Sequence, residues 1–272
     1  MAISTWRRPG GPDAFPGSGV FRYNPVTGAQ IGSGPFVIYN GQPPTPDPRD
    51  VIIPNGMTFG SDGRLYIADL SGSTSNVHIY TSVGVSAGAL SDPNLDSPTS
   101  VAFDSQGQLF VTAAGAVLRY NFGTSSFSNF ANPVNPLDLA FGSTGELYVL
   151  DSNSGVLAYN SSGHLDSAVV DFSTSSFFPT AIAVGVDGQL YISGADTDLP
   201  TPEGEVLRYN PDGAFEGVAV SGLPNDAGFV AFSPTPEPSA WNLFLFGGIG
   251  VALIRWRRAR THNEAIRGLG AD

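Results

Sequence analysis

A short internal repeat constrains the fold of this chain more than any other feature. In four stretches, an apolar strand, a polar turn ending in glycine and a second apolar strand follow one another. The stretches are NGMTFGSDGRLYIADL from Asn55, SVAFDSQGQLFVTAA from Ser100, DLAFGSTGELYVLDS from Asp138 and AIAVGVDGQLYISGA from Ala181. Their turn glycines recur at intervals of 44, 38 and 43 residues, at Gly63, Gly107, Gly145 and Gly188. A unit of this length predicts an array or ring of equivalent sheets.

A third strand follows each pair in register. The four segments are VHIYT at Val77, VLRYN at Val117, VLAYN at Val156 and VLRYN at Val206. Stretches such as PDGAFEGVAVSG from Pro211 supply a turn and a fourth strand. Four strands in roughly 40–45 residues are typical of a β-propeller blade, whose apolar faces only a neighbouring blade can cover. No amphipathic helix is predicted before residue 239, so the predicted domain is all-β.

The two ends of the repeat region leave the predicted number of blades at five to six. VFRYN at residues 20–24 matches a third strand, PFVIYN from Pro35 a fourth, and GFVAFSP from Gly228 a first. Joining them would close the ring through one split blade and remove its edge strands. Nothing in residues 1–19 matches a second strand, and residues 1–17 are predicted to be an unstructured start. We therefore expect five blades with one imperfect, or a six-bladed ring truncated at its beginning.

The order and spacing of these strands resemble those of the six-bladed NHL-repeat and gluconolactonase-like propellers, over about residues 18–234. The resemblance implies a propeller and says little about activity, because unrelated functions share such rings. In the gluconolactonase-like propellers a Pro-Asn-Gly at the start of a blade presents its Asn to a central divalent cation, and Asn55 matches that position. The family's Glu in the first blade has no counterpart in this chain.

The resemblance thus implies a Ca²⁺ site on the ring axis. Calcium takes about six to eight oxygen ligands. Equivalent segments of the other blades offer Asp138, Asn225 and Asp226 as further ligands, whereas Thr99 and Thr180 are poorer ones. The alternative is that Asn55 belongs to an ordinary Asn-Gly turn.

No catalytic residue is assigned from the sequence. Asp69 and Asp151 end their second strands and are a candidate carboxylate pair, although such aspartates more often accept backbone amide hydrogen bonds. His78 lies within a strand, with no partner at a recognisable catalytic spacing. There is no P-loop, dinucleotide fingerprint or zinc motif, and with no cysteine there is no thiolate nucleophile. The chain is therefore expected to be a binding protein rather than an enzyme.

The formal charge of −12 is unevenly distributed. Residues 1–238 carry seven arginines and twenty-two acidic residues, whereas residues 239–272 carry five arginines and two acidic residues. Nucleic-acid binding needs clustered cations to displace counterions, so the acidic body argues against a nucleic-acid partner. A lysine-free, acidic surface without cysteine is compatible with an exported protein.

The C-terminal region combines three features. Pro236, Glu237 and Pro238 precede an uncharged apolar run over residues 239–254. As a helix this run would span roughly 24 Å, somewhat less than the ~30 Å hydrocarbon core, and Trp256 would extend its reach to the interface. A cluster of arginines follows at residues 255–260, comprising Arg255, Arg257, Arg258 and Arg260. We predict a transmembrane helix with a stop-transfer cluster; the alternative is a buried core helix.

The order of these features over residues 235–260 resembles the PEP-CTERM sorting signal. The resemblance implies a Gram-negative bacterial protein that is exported, held in the inner membrane with its propeller outside, and processed by an exosortase on its way to the cell surface. Two departures are the polar tail at 261–272 and the lack of an apolar signal segment after Arg8, which we interpret as a truncated or mis-started sequence. The alternative is a cytoplasmic protein with a chance hydrophobic tail.

Two functional hypotheses follow. The first is a surface or secreted binding module, or scaffold, for extracellular polysaccharide or protein. The second is a calcium-dependent lactone or ester hydrolase of the gluconolactonase type that uses the axial site. The missing Glu and the abundant Gly, Ser and Thr in the loops favour the first.

Overall fold

The computed structural model describes residues 2–5, 18–22, 37–39, 54–69, 75–196, 203–223, 230–232 and 243–245, with side chains over 55–69, 75–196 and 204–222. These residues form twenty-one β-strands. The strands are β1 (Ala2–Thr5), β2 (Ser18–Arg22), β3 (Val37–Tyr39), β4 (Pro54–Phe59), β5 (Leu65–Asp69), β6 (Asn76–Tyr80), β7 (Ser86–Leu90), β8 (Ser100–Phe103), β9 (Leu109–Ala113), β10 (Ala116–Asn121), β11 (Ser126–Ala131), β12 (Pro136–Phe141), β13 (Leu147–Asp151), β14 (Gly155–Tyr159), β15 (Leu165–Val170), β16 (Phe177–Val184), β17 (Leu190–Asp196), β18 (Glu203–Tyr209), β19 (Phe215–Leu223), β20 (Val230–Phe232) and β21 (Leu243–Leu245).

Four antiparallel sheets of four strands each confirm the predicted blades. Blade 1 is β4–β7, blade 2 is β8–β11, blade 3 is β12–β15 and blade 4 is β16–β19, each with its strands in chain order. The first strand of each blade contacts the first strand of the next, so these inner strands follow one another in sequence. All four repeats of the sequence therefore form the same unit.

The hairpin between the first and second strands is the same in every blade. Its glycine has φ of +74° to +96°, a region that glycine enters without steric cost, and two backbone N–H groups in the turn donate to carbonyl oxygens at 2.9–3.1 Å. The pairs are Gly60–Arg64 and Gly63–Gly60, Asp104–Gln108 and Gly107–Asp104, Gly142–Glu146 and Gly145–Gly142, and Gly185–Gln189 and Gly188–Gly185, with the donor first in each pair.

Apolar side chains fill the spaces between neighbouring blades. Because side chains alternate along a strand, each second and third strand sends one set of residues to the preceding blade and the other set to the following blade. Tyr66, Ala68 and Val77 of blade 1 pack with Leu109 and Val111 of blade 2. Similar clusters join blade 2 to blade 3 and blade 3 to blade 4. The core is thus a series of interfaces between sheets.

The prediction of five to six four-stranded blades is wrong for the residues that the structure describes, which form four such blades and two smaller sheets. β1 pairs with β2 and β2 with β3, so the predicted third and fourth strands at residues 20–24 and near Pro35 are present. Ala2–Thr5 supplies the second strand and lies inside the segment 1–17 predicted to be unstructured; its β-branched residues Ile3 and Thr5 favour a strand.

The predicted closure through a split blade is likewise not observed among the described strands. β20 contacts β16, as a first strand following blade 4 should. However, β20 pairs with β21 and not with the N-terminal sheet. The apolar sequence of Leu243–Leu245 is compatible with a strand as well as with a helix, and its backbone pairs with β20.

The predicted transmembrane helix over residues 239–254 overlaps the described chain only at Leu243–Leu245, which form strand β21. The remainder of that range lies outside the described residues, as do Pro236, Glu237, Pro238 and the arginine cluster at 255–260. Within the part of the chain that the structure describes, no helix is long and apolar enough to cross a membrane.

Candidate functional site

The two ends of each blade differ in the connections that they carry. Antiparallel pairing places the start of the first strand, the end of the second and the start of the third at one end of the blade. We call this end of the four blades the loop face. The opposite end carries the glycine hairpins and is called the turn face. The sequence-predicted candidate residues Asn55, Asp69, Asp138 and Asp151 all belong to the loop face.

The inner strands enter the sheets in the same way at the loop face. In blades 1, 3 and 4 a register shift follows the first proline of the strand. The residue placed seven positions before the hairpin glycine is buried in every blade. These four equivalent residues are Gly56, Ser100, Asp138 and Ala181.

Asp138 is the centre of a hydrogen-bonded seam between three blades. The Ser100 hydroxyl of blade 2 donates to its Oδ1 at 2.6 Å, and the Leu139 N–H donates to the same oxygen at 2.8 Å. The Ile182 N–H of blade 4 donates to Oδ2 at 2.8 Å. One carboxylate of blade 3 therefore connects blades 2 and 4. Its partners Ser100 and Ile182 lie 38 residues before it and 44 residues after it in the chain.

Further bonds extend this seam. The Gly56 N–H of blade 1 donates to the Thr99 carbonyl of blade 2 at 2.8 Å, and the Thr99 hydroxyl donates to the Pro136 carbonyl of blade 3 at 3.1 Å. A Cβ at Gly56 would lie 2.5 Å from Ser100 Oγ, so only glycine permits this approach of the first two inner strands. Polar contacts thus link all four inner strands.

Burial determines the acidity of Asp138. Desolvation raises the pKa of its carboxyl to about 6, and the hydrogen bonds from Ser100, Ile182 and Leu139 limit the rise because they favour the charged form. A carboxyl with 5% exposure and three donors is well suited to hold strands together. It has little room to act as a general base on a substrate.

The predicted cation ligands are only partly described. Asn55 lies within β4, one position before the residue equivalent to Asp138, so the two occupy different places in their blades. The interpretation of Asn55 and Gly56 as an ordinary turn is wrong, because both are strand residues. Asn225 and Asp226 lie outside the described residues. Among the described side chains no three His, Cys, Asp or Glu residues converge as metal ligands do.

Asp69 and Asp151 each have a described partner in their own blade. Asp151 accepts N–H donors from Asn135 at 2.6 Å, Asn153 at 2.9 Å and Ser154 at 3.0 Å, the alternative expected for an aspartate at a strand end. Asp69 instead lies with its Oδ2 3.2 Å from His78 Nε2. The structure therefore joins neither aspartate to the other.

The Asp69–His78 pair was missed by the sequence analysis. Both side chains are 1% exposed, and among the described residues the second ring nitrogen of His78, Nδ1, has no hydrogen-bond partner. A signal existed in the repeat, because His78 stands where the other blades carry leucine. Those leucines are Leu118, Leu157 and Leu207, all buried against a neighbouring blade.

A cleft of about 240 Å³ opens on the loop face between the β13–β14 turn and the β15–β16 connection. Its apolar lining runs from the buried ring of Phe177 through the half-buried Phe172 to Phe178, which is 64% exposed. Exposed polar side chains of Ser152, Asn153, Ser173 and Ser175 also line it, together with Gly155 and Pro179. Among the described residues no charged side chain lines this cleft, whose composition is that of a site for a small neutral molecule.

No family model matches this chain, and no curated protein matches it. Solved structures do resemble it. A gluconolactonase from Xanthomonas campestris aligns with a TM-score of 0.61 and 16% identity, over 85% of this chain and 76% of that one. The structure of a nidogen/laminin complex aligns with a TM-score of 0.60 and 16% identity, over 84% and 82%.

A streptogramin B lyase aligns with a TM-score of 0.55 and 18% identity, over 78% of this chain and 65% of that one. The chain spans 54% of a virginiamycin B lyase from Staphylococcus aureus. Because proteins with different functions share this architecture at such low identity, the likeness concerns the fold alone. This chain is a β-propeller, the fold that it shares with the gluconolactonase and with the nidogen/laminin structure.

Proposed function

We propose that the protein is a binding or scaffold module that presents its loop face to extracellular polysaccharide or protein. The observation that carries the proposal is the contrast between two regions of that face. At the inner strands, the oxygens of Asp138 are engaged by Ser100, Leu139 and Ile182, so the described carboxylate serves inter-blade bonding. Between blades 3 and 4, an aromatic cleft lies open to solvent. The aromatic cleft is suited to binding, whereas the contacts of Asp138 hold neighbouring blades together.

The location that we propose depends on the C-terminal signal. Pro236, Glu237 and Pro238, the apolar run over 239–254 and the arginines at 255–260 follow the order of a PEP-CTERM signal. The acidic body would then lie outside the inner membrane, and an exosortase would process the chain for the cell surface. Membrane and exosortase are the partners implied by this signal.

Fractionation of host cells tests this location. The full-length protein, followed with an antibody, should be found in the membrane and surface fractions. Substituting Arg255, Arg257, Arg258 and Arg260 together by serine should reduce retention in the membrane. Recovery of the unaltered protein in the cytosolic supernatant would contradict the proposal.

Co-sedimentation tests the binding role. The full-length protein should sediment with extracellular polysaccharide prepared from its host, and digestion of that polysaccharide should release it. If proteolysis of the matrix releases the protein instead, then the partner is a protein and the module still acts as a scaffold. Failure to associate with either component would remove the binding function.

The likeness to the gluconolactonase supports a second candidate, a calcium-dependent lactone or ester hydrolase. Asn55 and Asp138 are the described residues that would contribute oxygen ligands, with Asn225 and Asp226 completing the proposed set. A lactonase assay with added Ca²⁺, run beside an Asn55→Ala variant, distinguishes the two functions. Metal-dependent turnover that the variant loses would establish the hydrolase.

A further inference from the structure

We propose that the cleft between the β13–β14 turn and the β15–β16 connection binds a single neutral pyranose ring of a polysaccharide, with Phe178 as the stacking platform. The inference rests on the proposed binding function and assigns it to one site. Its support comes from the size, the polarity and the charge of the described lining.

Size limits the ligand to a small group. The cleft measures about 240 Å³, below the roughly 300–1,000 Å³ of sites that enclose a drug-sized molecule. Only one ring fits, and a chain can continue into solvent on either side because the cleft opens at the surface. A single sugar ring within a polysaccharide chain can therefore occupy the cleft while its neighbours stay in solvent.

The polarity of the lining requires a ligand with two chemically different sides. The rings of Phe172 and Phe177 are tilted by 42° with centroids 5.6 Å apart, and together they form an apolar wall. The 64% exposed ring of Phe178 adds an aromatic surface that solvent otherwise covers. Asn153 and Ser173 place an amide and a hydroxyl at the rim. A pyranose has an apolar C–H face for the aromatic rings and hydroxyl groups for the amide and hydroxyl.

Charge excludes acidic sugars from the same site. The described lining of the cleft contains no cationic side chain that could pair with a carboxylate or sulfate. The exposed carboxylate of Asp171, directly before Phe172, accepts the Ser173 N–H at 2.7 Å, and its pKa is lowered by this bond and by the Ser173 side chain. It is therefore ionised at neutral pH and repels anions. The ligand that fits is uncharged.

Affinity electrophoresis of the full-length protein tests the proposal. The gels contain hydroxyethyl cellulose, galactomannan or xyloglucan as neutral polysaccharides, and polygalacturonate as the acidic one. We expect at least one neutral polysaccharide to retard the protein and polygalacturonate to leave its migration unchanged. The Phe178→Ala variant should bind the retarding polysaccharide at least about tenfold more weakly, because it loses the largest exposed apolar contact.

Two variants make the result specific to the cleft. Phe178→Trp keeps an aromatic surface and should retain binding. Phe122→Ala removes a comparably exposed phenylalanine, 50% exposed, from the turn between β10 and β11, and should bind as the unaltered protein does. Phe178→Ala should also melt within about 1 °C of the unaltered protein, because an exposed side chain contributes little to stability.

Three outcomes would overturn the assignment: no retardation by any neutral polysaccharide, retardation that Phe178→Ala preserves, or equal losses in Phe178→Ala and Phe122→Ala. If the protein still co-sediments with host matrix while Phe178→Ala has no effect, then the binding function stands and its site lies elsewhere. If the protein fails to co-sediment at all, then the function itself fails.

Discussion

The turn face and the loop face of the four blades were built from the same repeat, yet only the turn face is uniform. Each hairpin on the turn face has the same two backbone hydrogen bonds and the same positive-φ glycine. At the equivalent position of the inner strands on the loop face, the four blades carry Gly56, Ser100, Asp138 and Ala181. A glycine, a hydroxyl, a carboxylate and a methyl group make four different contacts.

This difference teaches which constraints act at each end. A tight hairpin must satisfy its own backbone within a few residues, so every blade solves the same local problem in the same way. The residue type at a loop-face position depends on its contacts with the neighbouring blade or with a ligand from solvent, so it can differ from blade to blade. Individual properties of the protein are therefore concentrated on the loop face, and substitutions there should have effects that the turn face does not reproduce.

The largest effect is expected at Asp138. Asp138→Ala leaves the buried donors of Ser100, Leu139 and Ile182 without their acceptor, and we expect a loss of about 3 kcal/mol in the free energy of unfolding. Urea titration measures it. The matched turn-face variant is Asp187→Ala, which removes the acceptor of the partly buried hydrogen bond from Tyr191 and of the exposed one from the Gln189 N–H, and should cost much less.

Equal losses in these two variants would contradict the contrast between the faces. If Asp138→Ala does not fold, Ser100→Ala supplies the measurement, because it removes one of the three bonds. Its expected cost is about 1 kcal/mol.

The pH dependence of the free energy of unfolding should reflect the titration of the Asp138 carboxyl. Its folded-state pKa of about 6 exceeds the ordinary aspartate value of 3.8, so the folded state binds the proton more tightly than the unfolded state. This contribution is fully present below about pH 4 and is lost as the pH rises through 6. It amounts to about 2 kcal/mol between pH 4 and pH 7.

Asp138→Asn removes this titration. The difference in unfolding free energy between the unaltered protein and Asp138→Asn should therefore shift by about 2 kcal/mol in favour of the unaltered protein as the pH falls from 7 to 4. Urea titrations at several pH values measure the difference. A difference independent of pH would show that burial does not raise this pKa.

A smaller effect is expected where blade 1 departs from its copies. The double variant His78→Leu with Asp69→Ala installs the residue types that blade 2 carries at Leu118 and Ala113. It removes a buried polar pair and the unpartnered His78 Nδ1, so we expect stability within about 1 kcal/mol of the unaltered protein, neutral or higher. Each single variant should be less stable than the double one. A double variant less stable than both singles would show that the pair stabilises the blade.

The smallest effect is expected on the turn face. The Tyr148 hydroxyl donates to Glu146 Oε1 at 3.2 Å, whereas the equivalent residue of blade 2 is Phe110. Tyr148→Phe reproduces that natural variation, and we expect a loss of about 0.5 kcal/mol by urea titration. A loss as large as that of Asp138→Ala would mean that the turn face is not interchangeable between blades.

The sequence predicted the local features well because they depend on neighbours in the chain. The alternation of apolar residues located the strands, and Gly63 and its equivalents located the hairpins. The first strand at β20 and the third and fourth strands at β2 and β3 were also found. The short segment Ala2–Thr5 was missed, because AIST contains neither a turn signal nor the Leu-Tyr or Leu-Phe pair that begins the other second strands.

Contacts between blades were beyond sequence reasoning. Asp138 was selected as an oxygen ligand, but its actual partners Ser100 and Ile182 become neighbours only once the sheets pack side by side. The cleft at Phe178 has the same origin, because two connections far apart in the repeat must meet before it exists. Only the Asp69–His78 pair could have been found, by comparing His78 with the leucines of the other copies.

The hydrogen bonds of Asp138 to two neighbouring blades also have a mechanical consequence. Because Oδ2 of Asp138 accepts the bond from blade 4 and Oδ1 accepts the bond from blade 2, tension that peels blade 4 away must break the Ile182 bond and expose one oxygen to water, whereas the Ser100 bond can persist. Stretched between its ends, this part of the protein can therefore lose blade 4 while blades 2 and 3 stay joined.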